Sequence, residues 1–127
     1  MAHVLIISAD PHTVEDVVAS CHDACHTSTL VSENQAIDRC LSERPDLVLL
    51  ACANPRPFAR ALRSLLPHTP VVAICEDPSL HDQVELRKAG VTSFVFRPYA
   101  IQTLRKVYAD FLSGGAALEP LERASRQ

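Results

Sequence analysis

A chain of 127 residues is long enough to bury one hydrophobic core and too short for two. Its 47% hydrophobic and 21% charged residues are the balance of a folded globular domain, which excludes a chain disordered as a whole. A formal charge of -3, with no block of lysine or arginine, gives no basic footprint and excludes direct phosphate-backbone binding to nucleic acid as the expected role.

No stretch approaches the roughly 18 uninterrupted apolar residues that would span a bilayer. The opening Met1-Ala2-His3-Val4-Leu5-Ile6-Ile7 lacks the positive region of a secretory signal, so a cytoplasmic location is expected, with no membrane contact. The five cysteines, Cys21, Cys25, Cys40, Cys52 and Cys75, are odd in number and scattered through periodic segments. That distribution predicts reduced thiols and no disulfide framework.

Val4-Leu5-Ile6-Ile7 reads as a short buried strand, and Asp10-Pro11 as an N-cap with proline at the first helical position. Val14, Val17, Val18 and Cys21 recur at helical spacing. Thr27 to Val31 is a weaker strand, marked by its β-branched residues. Ser32-Glu33-Asn34-Gln35 carries the serine and glutamine of a capping box, with Ala36, Ile37, Cys40 and Leu41 as the apolar stripe of the second helix.

Pro45-Asp46-Leu47-Val48-Leu49-Leu50-Ala51-Cys52 is a continuous apolar run bounded by prolines, the pattern of a strand covered on both faces at the centre of a parallel sheet. It ends on a methyl group, Ala51, and not on a reactive oxygen. Phe58, Ala61, Leu62 and Leu65 mark a third helix opened by Pro57 and closed by Pro67. Pro70 to Cys75 is a fourth strand; Asp77-Pro78 starts a helix that runs to Ala89 and stops at Gly90. Ser93-Phe94-Val95-Phe96 is the fifth strand, and Ile101, Leu104, Val107, Tyr108 and Phe111 give the last helix, ended by Gly114-Gly115. The domain is thus expected over 1-113, with 114-127 as a tail or linker. Five strands alternating with five helices predict an α/β fold, a doubly wound parallel sheet between two helical layers.

Several landmarks in order then resemble the receiver domain of bacterial response regulators, of the chemotaxis-regulator type with flavodoxin-like strand order. They are the Ile6-Ile7 strand leading to Asp10-Pro11, Arg44-Pro45-Asp46-Leu47-Val48-Leu49-Leu50, Thr69-Pro70-Val71-Val72, Ala89-Gly90 and Arg97-Pro98-Tyr99. The resemblance covers almost everything from Val4 to Leu112 and implies a phosphorylation pocket at the carboxyl end of the sheet. At the matching positions the acidic pair that holds Mg²⁺ in the family is Ser8 and Ala9, followed by Asp10. The phosphate-accepting aspartate falls on Ala51, the switch hydroxyl on Cys75 and the phosphate-pairing lysine on Arg97. Phe94 keeps the aromatic of the fifth strand without a phenol, and the loop after Ala51 is shorter than the family's.

Aspartyl phosphorylation needs a carboxylate nucleophile, and Mg²⁺ needs hard oxygen ligands. The resemblance therefore implies a degenerate pocket with no catalytic residue, no metal and no cofactor: a phosphorylation-independent pseudo-receiver of a two-component-type system, not an enzyme. Its role would be a protein-protein interaction or dimerisation module, with the regulatory part of a transcriptional regulator as one setting.

The face expected to carry that role is built by the fourth helix, fifth strand and last helix, with Arg87, Lys88, Phe94, Phe96, Tyr99 and Arg105 as residue types suited to interface anchors. Tyr108 and Phe96 have a plainer reading as core. Thr92-Ser93 stands where many DNA-binding receivers have an acidic pair for dimer salt bridges.

Arg97 reads either as a holder of a small anion or nucleotide phosphate or as the partner of Asp10 or Glu76. Cys52 and Cys75, expected near each other at the sheet's upper edge, leave open a flavodoxin-like thiol redox protein. Cys21, His22, Cys25 and His26 have a spacing that metals accept, set against a reading as ordinary solvated or half-buried side chains.

Overall fold

The computed structural model describes residues 2–9, 14–23, 27–52, 54–76, 80–97 and 100–112. The elements in chain order are β1 (His3–Ser8), α1 (Glu15–Asp23), β2 (Thr27–Val31), α2 (Ala36–Glu43), β3 (Leu47–Ala51), α3 (Arg56–Leu65), β4 (Val71–Cys75), α4 (Leu80–Ala89), β5 (Ser93–Phe96) and α5 (Ile101–Leu112). The strands form one parallel sheet in the order β2-β1-β3-β4-β5. The expected doubly wound, flavodoxin-like architecture is therefore the observed one.

Alternation along each strand explains the two layers. Leu5, Ile7, Val48, Leu50, Val71 and Ala73 point to one face, where Ala36 and Cys40 of α2, Ala59 and Leu62 of α3, and Leu86 and Ala89 of α4 cover them. Val4, Ile6, Leu47, Leu49, Val72, Ile74 and Val95 point to the other, under Val17 and Cys21 of α1 and Leu104, Val107 and Tyr108 of α5. Leu47 to Leu50 have no exposed surface, as the unbroken apolar run requires of a central strand. Because the chain visits β2 on one side of β1 and then crosses to β3 on the other, the connections diverge between β1 and β3. That divergence is the switch point at whose carboxyl strand ends open α/β sheets form their binding crevices.

Local details depart from expectation in three places. Ser32 makes no side-chain cap; Glu33–Gln35 form a separate 3-10 turn, and α2 begins after it with Gln35 as its cap residue. A tighter turn moves the helix start past the spacing a capping box needs. Leu41 and Leu65, expected in apolar stripes, lie at the exposed margins of α2 and α3, since the short helices bury only Ala36 and Cys40, and Ala59 and Leu62. The third helix opens one residue before Pro57, on Arg56, with Pro55 as its cap residue. Cys21 is fully buried on the inner face of α1, as its place in the apolar stripe of the first helix expected and against its other reading as a solvated or half-buried side chain. The starts at Asp10-Pro11 and Asp77-Pro78, the end at Gly114-Gly115 and the boundary at 113 lie outside the described residues.

Gly90 does what its position promised. Its φ of 121° is one that side chains rarely adopt. From there its N–H reaches the Leu86 carbonyl at 3.1 Å and that of Val91 reaches the same oxygen at 3.0 Å, closing α4. A Cβ at this residue would stand 3.0 Å from the Cβ of Arg63.

At the amino-terminal pole a polar network ties β1, β2, α2 and the approach to β3. The His3 Nε2 lies 2.7 Å from the Glu43 carboxylate and its Nδ1 3.0 Å from the Thr27 hydroxyl. Thr29 donates to Glu43 at 2.8 Å, and Arg39 pairs with the same carboxylate. Asp46 accepts the His3 N–H at 2.8 Å. The Thr29 hydroxyl leads the groups that hold Glu43 below the usual carboxylate range, with Arg39 and His3 adding to it against an opposing effect of burial.

Candidate functional site

The crevice predicted by the topology is lined first by the ends of β1 and β3. Register sets Ser8 directly beside Ala51, the last pair of the β1–β3 ladder. Ser8 is buried, at 4% exposure, Ala51 is half-buried and Ala9 is exposed. Their side chains present one hydroxyl and two methyl groups, and no carboxylate. Asp10 lies outside the described residues. Hard-oxygen coordination of a magnesium ion asks for carboxylates here, and Ser8, Ala9 and Ala51 do not fit that demand.

Beyond Ala51 the chain turns away through Cys52. Its thiol points back toward the Ile7 carbonyl of β1, 3.8 Å away. Burial, and then the hydrogen bond to and negative charge of Glu33, push this thiol up to about 12. Glu33 is a pocket-pole carboxylate that reading the sequence assigned to a helix cap. The available clue was its place just after β2, because every loop that follows a strand in a parallel sheet opens at this same pole.

Cys75 closes β4, where its carbonyl accepts the Arg97 N–H at 2.7 Å. Burial raises its thiol as well. Cys52 leans toward β1, both cysteines pack at the margin of the same hydrophobic cluster, and neither thiol has the lowered pKa of a reactive cysteine. Arg97 is half-buried at the end of β5. The six positions assigned to a degenerate pocket thus have five described members, Ser8, Ala9, Ala51, Cys75 and Arg97, all at or one residue beyond the carboxyl ends of β1, β3, β4 and β5.

The second candidate region flanks β5, which pairs only with β4 and leaves its other edge open among the described residues. The Phe94 and Phe96 rings, two residues apart and so on one face of the strand, stack 6.0 Å apart at an interplanar angle of 10°. The Arg87 guanidinium sits over Phe94, 4.9 Å from its centroid, and donates to the Thr92 carbonyl at 3.0 Å. Lys88 pairs with Glu85 at 3.4 Å. Phe96 is exposed, which sets aside its reading as core, and Arg105 is exposed on α5.

Tyr108, by contrast, is core at 2% exposure. Its hydroxyl contacts Ser20 at 2.8 Å and donates to the Val17 carbonyl at 3.1 Å, joining α5 to α1. Tyr99 lies outside the described residues.

The cysteine and histidine group near the end of α1 is divided. Cys21 is buried with its thiol raised, burial being the main cause, while His22 is exposed and meets the Ser28 hydroxyl at 3.2 Å. Cys25 and His26 lie outside the described residues. Among the described residues no group of three or more histidine, cysteine, aspartate or glutamate side chains is placed to hold a metal ion, and no helix is long and apolar enough to cross a membrane.

No protein-family model matches this sequence, and no curated protein matches it closely. Solved structures do. The Vibrio cholerae chemotaxis protein CheY4 superposes with a TM-score of 0.79 at 22% identity, over 88% of this chain and 99% of that one. The receiver domain of a sensor histidine kinase from Pseudomonas aeruginosa, solved with a magnesium ion coordinated in its active-site cleft, gives 0.78 at 18% identity over 89% and 98%. A two-component response regulator from Clostridium difficile gives 0.81 at 15% identity over 88% and 96%. The chain has the receiver-domain fold.

Proposed function

We propose that this chain is a pseudo-receiver: a receiver fold that works without phosphorylation, as a protein-interaction or dimerisation module in two-component-type signalling. The observation that carries the reading is the register pair Ser8 and Ala51, which puts a hydroxyl and a methyl group where phosphoryl transfer to aspartate would need a nucleophile and a metal-binding carboxylate. An alanine side chain has no lone pair to attack phosphorus, and a serine hydroxyl is not the carboxylate nucleophile that aspartyl phosphorylation uses. The likeness to chemotaxis and two-component receivers supports signalling as the setting. The raised Cys52 and Cys75 thiols speak against a thiol redox protein.

With the pocket unable to take phosphate, the working surface is the α4–β5–α5 face. Its Arg87–Phe94–Phe96 stack offers aromatic and guanidinium groups of the kind that anchor interfaces.

The test has two arms. Incubation with acetyl phosphate and magnesium, followed by intact mass measurement, is expected to leave the protein unmodified; a stoichiometric phosphoryl adduct removed by a pocket substitution would sink the reading. Arg87→Glu with Arg105→Glu is expected to change the mass in solution or abolish capture of a partner. Unchanged assembly together with unchanged capture would remove the face from the proposal.

A further inference from the structure

α3 is the middle helix of the layer that covers one side of the sheet, packed between α2 and α4. Its three arginines, Arg56, Arg60 and Arg63, stand four and three residues apart and so share one side of the helix. Arg60 and Arg63 are exposed and Arg56 is half-buried. Between Asp46 and Glu76 the sequence has no acidic residue, so nothing on α3 offsets the three charges.

The neighbouring helices are built differently. α2 pairs Arg39 with Glu43 four residues on, and α4 pairs Glu85 with Lys88 three residues on, at 3.4 Å. On α3, Arg63 is anchored, its guanidinium donating to the Lys88 carbonyl at 3.0 Å. Arg56 and Arg60 have no ion-pair partner among the described residues. Within the helix they repel each other, and Arg56, at the first position, sits against the positive end of the helix dipole. The pair works against the helix that carries it, so its use lies outside the fold.

Charge and spacing define the occupant. Along the axis Arg56 and Arg60 are about 6 Å apart and Arg60 and Arg63 about 4.5 Å, the repeats of any helix that sets carboxylates four and three residues apart. A partner helix of that pattern meets each guanidinium with a carboxylate, the planar pairing that arginine makes best. A nucleic-acid duplex is the poorer fit. The chain carries -3 in all, so the part outside this +3 stripe carries -6 and repels a polyanion whose charge runs on past α3.

We propose that the outer side of α3 is a second docking surface, separate from the α4–β5–α5 face, and that it takes an acidic helix of a protein partner, with Asp or Glu at four- and three-residue spacing over Arg56, Arg60 and Arg63. Exposed ion pairs are individually weak, so this contact is salt-sensitive and selects its partner by the pattern of charge.

The probe is an alanine-rich peptide of about 20 residues, long enough to hold a helix, with its glutamates on one side. A control peptide carries the same number of glutamates distributed around the helix. Fluorescence anisotropy at low salt compares the full wild-type chain with Arg56→Gln/Arg60→Gln, Arg63 being kept because it holds the Lys88 carbonyl. The expected result is binding of the patterned peptide that weakens about tenfold in the variant, weakens likewise in high salt, and exceeds binding of the control. The variant should melt at the wild-type temperature or above it, since like-charge repulsion and an opposed dipole are removed.

No binding by the wild type, equal affinity for wild type and variant, or equal affinity for the two peptides would overturn the proposal. A short DNA duplex bound more tightly than the patterned peptide would overturn it too, by making the stripe a phosphate site. A lower melting temperature in the variant would show that the arginines brace the fold and would remove the premise. None of these results touches the α4–β5–α5 face, which the Arg87 and Arg105 reversals test separately.

Discussion

Tyr108 can belong to the interaction face or to the core, and replacing it with phenylalanine separates the two. In the structure its hydroxyl is buried between α5 and α1, 2.8 Å from the Ser20 oxygen and 3.1 Å from the Val17 carbonyl, which Ser20 also reaches at 2.8 Å. Two hydroxyls carry two protons for three contacts, so one serves Val17 and the other serves its neighbour. Burial pushes the phenol up to about 12, which keeps it a neutral donor at any ordinary pH.

Tyr108→Phe keeps the ring packing and removes one net hydrogen bond, while Ser20 continues to satisfy the Val17 carbonyl. The cost is about 0.5–1.5 kcal/mol. For a domain of this size each kcal/mol lowers Tm by about 3–6 °C. Urea denaturation should show a lower midpoint with an unchanged slope, since the surface exposed on unfolding is the same. Combined with Ser20→Ala, the double-mutant cycle should give a coupling of about 0.5–1.5 kcal/mol. An unchanged midpoint together with an altered mass in solution would refute the reasoning and return Tyr108 to the docking face.

Gly90→Ala should destabilise by about 1–3 kcal/mol, since a Cβ at φ 121° is strained and would press on Arg63; a loss below about 0.5 kcal/mol in urea titration would contradict the assignment. Glu43 has a folded pKa below its unfolded value of about 4.5, so its contribution is complete above that pH and is lost as pH falls through the folded value. Urea midpoints between about pH 6 and pH 2 should therefore fall more steeply for the wild type than for Glu43→Gln, and parallel curves would rule the network out as a source of acid sensitivity. Cys52 and Cys75 should react slowly with a thiol reagent at neutral pH and quickly only after unfolding. A fast folded-state phase lost on Cys52→Ser would show an activated thiol that the structure does not contain.

The strands and the central run were legible because the sheet is parallel. A strand covered on both faces shows as unbroken apolar sequence, and Leu47 to Leu50 could be little else. Helix ends were less legible, for a physical reason. A 3-10 turn at Glu33–Gln35 tightens the chain where a capping box was expected and Ser32 makes no side-chain cap, so the Ser32–Gln35 spacing did not decide where α2 starts.

The place of Ala51 at the carboxyl end of the central strand was legible, since topology fixes where β3 ends. The company it keeps was not: the hydrogen bond from Cys52 to Glu33 arises from side-chain directions that strand order does not set. Phe96 illustrates the same limit. Alternation put it on the side of Phe94, but its exposure depends on what packs beyond the edge strand, which alternation does not record.

A receiver that relies on phosphate has to hold its docking face in two shapes and let the pocket choose between them. A pseudo-receiver has no such choice to make, and its face works only if it is already in the docking shape. The residues around β5 meet that requirement. Arg87 is fixed twice, to the Phe94 ring and to the Thr92 carbonyl, and Phe94 is in turn stacked on Phe96, so moving the aromatic pair means breaking a cation–π contact and a hydrogen bond together. At the opposite pole the His3, Thr29, Arg39 and Glu43 network braces the strand ends from which the sheet begins. Arg87→Lys separates the shape of the face from its charge: it keeps the cation but loses the planar stack and the geometry of the guanidinium bond. On the view that a preformed face does the docking, this charge-conserving change weakens capture about as much as Arg87→Ala does, and capture retained at the wild-type level would mean that charge alone is recognised.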